Sequence, residues 1–115
     1  MTTPQPVTRR ELLTALIEGE KAVARVEIKE VTLAPKQTVP LHMHPCPVVG
    51  VVSVGSIAYQ IEGQPVRQLQ AGDAFFEPAG ARVARFDNGG ETPARFVAFY
   101  LLGAGDTEII RVLSA

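Results

Sequence analysis

The residue pattern of this chain predicts an all-β fold, an antiparallel sandwich or closed barrel, and three observations carry that reading. From Ala22 onward the apolar residues alternate with a period of two: Ala22, Ala24, Val26 and Ile28 fall on one face of a strand, with Val23, Arg25, Glu27 and Lys29 on the other. Turn signals then recur at short intervals, among them Gly63-Gln64-Pro65, Gly72-Asp73, Pro78-Ala79-Gly80, Asn88-Gly89-Gly90 and Gly103-Ala104-Gly105. Between the turns lie short runs rich in Val, Ile, Phe and Tyr. Short strands at regular spacing are the signature of such a fold.

The elements follow in chain order. Residues 1–7 read as an arm. Thr8 and Glu11 match a helix-capping box, Leu12, Leu13, Leu16 and Ile17 form an apolar stripe at helical spacing, and Gly19 is placed to end the helix. The chain therefore divides into an arm and short helix over 1–21 and a barrel over 22–115. In the first strand the apolar parity changes at Val31 and Leu33, which predicts a bulge or a change of face near Glu30. Further strands are expected at Val48–Val54, Ser56–Ile61, Asp73–Glu77, Arg82–Phe86, Ala94–Leu102 and Glu108–Leu113. Phe75 and Phe76 are adjacent, so one packs inside the sheet and the other outside. Phe96–Leu102 is apolar on both faces, which calls for a second covering layer, supplied by the N-terminal helix or a partner subunit. A homodimer is the expected assembly.

Composition narrows the class. At 115 residues, with 46% hydrophobic and 20% charged residues and a net charge of −1, the chain suits one globular domain. The basic residues are scattered and offset by acidic ones, so neither nucleic acid nor a membrane is an expected partner. The single cysteine, Cys46, excludes an intrachain disulfide, and the N-terminus has no signal-peptide pattern. A cytoplasmic location is expected.

The chemistry-bearing segment is Pro40–Pro47, which holds the only two histidines, His42 and His44. Residues i and i+2 of a strand share a face, so the two imidazoles can converge on one point. Cys46 continues that series as a candidate thiolate ligand, although Pro45 and Pro47 interrupt a regular strand. Glu77, just before Pro78, is a second candidate for a third ligand. Gln60 or water is the remaining way to complete a site.

His42, His44 and Gly55, followed by Gly72, Pro78 and Gly80, stand at the offsets of the two motifs of the cupin superfamily, which the chain resembles over roughly residues 26–102. The resemblance implies a double-stranded β-helix, or jelly-roll barrel, preceded here by a short helix. It also implies a four-ligand metal site, and two of those positions are aliphatic: Val48 replaces the glutamate of the first motif and Val83 the histidine of the second. The downstream asparagine position falls on Asp87, beside Asn88.

The expected function is accordingly a small-molecule-binding cupin with a reduced two-histidine site, its pocket walled by Val48, Val52, Phe75 and Val83. The ligand is expected to be apolar or aromatic, since buried sugar hydroxyls need paired partners. The alternative is a metal-dependent dioxygenase or isomerase using His42, His44 and Glu77. The cofactor is then one divalent transition metal (iron, manganese, nickel or zinc), or none in the binding-protein reading.

Overall fold

The computed structural model describes residues 6–113 and shows two antiparallel sheets packed face to face. The strands are β1 (Arg25–Leu33), β2 (His42–Met43), β3 (Val48–Val54), β4 (Ser56–Ile61), β5 (Arg67–Gln70), β6 (Ala74–Glu77), β7 (Val83–Asp87), β8 (Ala94–Leu102) and β9 (Arg111–Val112). One sheet has the order β1-β8-β3-β6 and the other β5-β4-β7-β2-β9. The all-β reading therefore holds: β3, β4, β6, β7 and β8 lie within one residue of their expected limits, whereas β1 begins at Arg25 rather than Ala22 and the last strand is confined to Arg111–Val112.

The chain changes sheets at the turns that the sequence marks. Between β3 and β4 it turns at Gly55, whose φ of +77° is costly for any residue with a Cβ. Between β6 and β7 it crosses at Pro78–Gly80, where proline ends one strand and Gly80 redirects the chain. These crossings bring the ends of β2 and β6, from opposite sheets, to the same end of the barrel interior.

The core fills the space between the sheets. Phe75, Phe86 and Phe96 meet edge to face, with ring centroids 4.8–5.7 Å apart. Phe75 points inward and Phe76 outward, as their adjacency requires. Asn88, 2% exposed, ties the loop after β7 to the end of β1: its amide donates to the carbonyls of Leu33, Ala34 and Thr92, and its own carbonyl accepts from the Gly90 N–H. Asp87 accepts from the Val39 N–H at 3.0 Å.

One expectation fails. No helix forms among the described residues, and 6–24 run without regular structure, with Leu12, Leu13 and Ala15 lining a shallow groove together with Val49, Val51 and Phe99 on the outer face of the first sheet. A helix of about a dozen residues is marginal unless its apolar face is buried. Here Leu16 stays 83% exposed and Leu12 47%, so the stripe lacks that support. The segment still supplies part of the cover that the doubly apolar β8 demands. The arm expected over 1–7 falls mostly outside the described residues. At Glu30 the change of face holds and the bulge does not form, because β1 pairs with β8 without interruption from Arg25↔Leu102 to Leu33↔Ala94. Val31 and Leu33 set the inward parity, which leaves Val26 and Ile28 facing outward, 48% and 61% exposed.

Gly50 is a constraint that the sequence pattern hides. A Cβ there would lie 2.3 Å from the Val97 carbonyl oxygen and 2.4 Å from Phe75 Cζ, closer than atoms can pack. Gly50→Ala is expected to lower stability by about 2–3 kcal/mol, read as a fall in the urea midpoint. An unchanged midpoint would show that β3 and β8 are packed less closely than described.

Candidate metal centre

His42 begins β2 and sits opposite Val83 of β7, while His44 follows two residues later on the same side of the chain. Both are buried at 5% exposure. Each ring is fixed by its Nδ1: that of His42 lies 2.9 Å from the Pro40 carbonyl and that of His44 2.6 Å from the Ile109 carbonyl. A carbonyl oxygen only accepts, so both Nδ1 atoms carry the proton and donate. Each Nε2 is thereby left as a lone pair aimed inward, the arrangement in which imidazole binds metals.

Glu77 meets them from the other sheet. It ends β6, is 3% exposed, and places Oε2 2.7 Å from His44 Nε2 and 3.7 Å from His42 Nε2. With the imidazole protons on Nδ1, neither Nε2 can donate to Oε2, which is then left without a hydrogen-bond partner. A carboxylate oxygen and an imidazole lone pair repel at such a distance unless a proton or a cation lies between them. Burial pushes the Glu77 carboxyl up, but the hydrogen bonds and charges of the two histidines outweigh it and hold it below its usual range. Burial pushes His44 down, and the Glu77 carboxylate overrides this to raise it. Without metal, His44 and Glu77 therefore each favour the charged form of the other.

The same three side chains fit a divalent cation. Their ligand atoms all lie within 4.8 Å of one another. Nitrogen and oxygen donors sharing one transition-metal ion at about 2.0–2.2 Å stand roughly 3–3.5 Å apart, and the separations of 2.7 and 3.7 Å bracket that value. Two neutral imidazoles and one carboxylate make the facial triad favoured by non-haem iron and tolerated by manganese, nickel and zinc.

Cys46 does not join this group. It is fully buried on the way from β2 to β3, and burial together with the Asp106 charge pushes its thiol up, away from the thiolate that a metal requires. Gln60 is also elsewhere, bonded to the Gln64 carbonyl and to Arg85. Val48, Val52, Phe75 and Val83 are 0–1% exposed, packed in the core. Val48 stands directly across the β3–β6 ladder from Glu77. The carboxylate of this chain thus occupies the strand next to the position where the motif carries one.

The triad forms one end of a cavity of about 240 Å³, whose walls include Val31, Leu33, Val39, Phe86, Phe96 and Ile110. Tyr100 also faces it, its ring centroid 5.8 Å from that of His44, and its hydroxyl makes no hydrogen bond among the described residues. Burial, with the Glu77 charge adding, pushes this phenol up to about 12. Tyr59 packs in the core instead, donating to the Phe76 carbonyl at 2.7 Å. The register of β8 is what turns Tyr100 to the cavity wall.

Comparison with known proteins agrees with this geometry. Residues 29–100 match the family described as the cupin domain. The chain belongs to the cupin family. Among solved structures, this cupin resembles oxalate oxidase at 31% identity and a TM-score of 0.59, over 66% of this chain and 41% of that one. It also resembles the DMSP lyase DddQ from Ruegeria pomeroyi (22% identity, TM-score 0.65, 76% and 42% of the two chains). The polyketide cyclase RemF from Streptomyces resistomycificus is similar at 21% identity and a TM-score of 0.65, over 79% and 62%. The last two likenesses concern the fold. The cupin spans less than half the length of the oxalate oxidase chain. No curated protein matches its sequence.

The triad sets the pH response of the metal-free protein. The raised His44 stabilises the fold fully below its ordinary value of 6.5, and that contribution is lost as pH rises through the folded value. The lowered Glu77 contributes fully above its ordinary value of 4.5, and is lost as pH falls through the folded value. Chelated protein is therefore expected to melt highest between about 4.5 and 6.5, a maximum that flattens in Glu77→Gln. A melting temperature that rises steadily past neutral pH would contradict the ion pair.

Proposed function

We propose that this cupin is a metal-dependent enzyme, a dioxygenase or isomerase, in which His42, His44 and Glu77 hold one iron, manganese, nickel or zinc ion. The observation that carries the proposal is the convergence of three lone-pair donors, one of them a buried carboxylate oxygen without a hydrogen-bond partner, on the wall of a cavity. When bound, such an ion supplies Lewis acidity, and a three-residue site leaves coordination positions open. The likeness to oxalate oxidase supports the enzyme reading.

The walls favour a different substrate class from a small dianion. Apart from the triad, Tyr100 is the polar side chain facing the cavity, and no lysine or arginine lines it. An anionic substrate would find no protein cation there, whereas an apolar or aromatic molecule would meet Leu33, Phe86, Phe96 and Ile110. At about 240 Å³ the space suits a molecule smaller than a typical drug. With its pKa near 12, Tyr100 stays protonated at neutral pH and offers a hydrogen bond to one polar substituent. The burial of the triad limits the access of water to the reacting group.

The substitution of Val48 and Val83 for two motif ligands favours a second reading, a binding protein without turnover. Elemental analysis of tag-free protein separates the two. The enzyme reading expects about one transition-metal ion per chain, lost in His42→Ala, and affinity at least 100-fold weaker in Glu77→Gln. Protein that is fully folded yet free of metal, and that acquires none on titration, would leave the binding reading.

A further inference from the structure

The edge of the first sheet carries a feature that the metal centre does not use. β1 is nine residues long, unbulged, and no strand pairs with its outer side among the described residues. The other sheet ends in the two-residue β9 and the four-residue β5. Long regular edges with apolar faces pair with other chains unless something blocks them. Val26 and Ile28 are 48% and 61% exposed on the outward face of this edge. They lie beside Leu101 and Phe99 in the β1–β8 register, so the apolar strip continues into the sheet.

The charges select the occupant. On the opposite face β1 carries Arg25, Glu27 and Lys29 in alternation, with Glu27 paired to both neighbours at 3.3 and 3.5 Å. We infer that β1 pairs antiparallel with β1 of a second copy about a two-fold axis at Ile28, which sets Glu27 against Lys29 of the other copy, twice. Symmetry makes the alternatives easy to compare. An axis at Glu27 opposes Glu27 to itself and Arg25 to Lys29. An axis at Lys29 opposes Lys29 to itself and sets Ile28 against Glu30. An axis at Val26 leaves little of the strand paired. The axis at Ile28 sets Val26 against Glu30, but it alone combines long overlap, opposite charges face to face, and Ile28 against Ile28 at the centre of the apolar side. The dimer is thus a continuous eight-stranded sheet (four strands from each copy), with both metal centres on its inner side.

Charge exchange tests the register. Light scattering on full-length protein is expected to give a dimer. Glu27→Lys sets two lysine pairs face to face and Lys29→Glu two glutamate pairs, so each single variant is expected to dissociate roughly tenfold more readily. The double variant restores the opposite pairing and the dimer with it. Circular dichroism and metal content, unchanged in all three, show that the barrel is intact. A wild-type monomer at high-micromolar concentration would overturn the inference, with Lys29 then acting to block the edge. A dimer indifferent to both single reversals would equally overturn it and place the interface on another face.

Discussion

The approach of the Glu77 carboxylate to two imidazoles inside the barrel is the interaction that orders the rest of this structure. An ionised carboxylate removed from water costs several kcal/mol unless a cation answers it. The chain aims the Nε2 atoms of His42 and His44 at it from the opposite sheet, their rings held by the Pro40 and Ile109 carbonyls, so that a proton on His44 or a shared metal ion answers the charge. The two sheets cannot slide or part at this end without stranding the charge. The centre is therefore both a structural clamp and a preformed place for a metal.

The position of the carboxylate explains how a chain lacking two motif ligands can keep a complete triad. Val48 removes the acid from β3, and Glu77, its ladder partner on β6, presents one from the neighbouring strand at the same level. Val83, the ladder partner of His42, contributes no donor and helps to keep the surroundings dry. The result is a site with fewer protein ligands and greasier walls. The C-terminal segment closes it: Ile110 and Val112 line the cavity while the Ile109 carbonyl fixes His44.

The barrel was legible because local rules and the tertiary fold agree there. Gly55, Pro78 and Gly80 mark crossings between sheets whose geometry only a few residues accept, and the alternation in β3, β4 and β8 survives on one buried face. The histidine pair was equally legible, since i, i+2 spacing fixes a shared side. Other features depend on partners remote in sequence. Whether Glu77 faces inward was open until the β3–β6 register set its parity. The carbonyl beneath His44 comes from Ile109, far along the chain, and nothing in the residue type announces it. Gly50 looks like any strand glycine until Val97 and Phe75 are brought against it. The N-terminal stripe misled because helical spacing is only a potential for a helix, and the sheet face here is covered by extended chain. Cys46 shares the parity of the histidines but is carried into the core between two prolines.

Anomalous diffraction from crystals of tag-free protein, collected on both sides of the transition-metal absorption edges, tests the account most directly. It predicts one peak between the Nε2 atoms of His42 and His44 and a carboxylate oxygen of Glu77, within about 2.0–2.3 Å of each. Crystals grown with added iron, manganese, nickel and zinc that show no such peak, with the histidine rings turned away from Glu77, would contradict it.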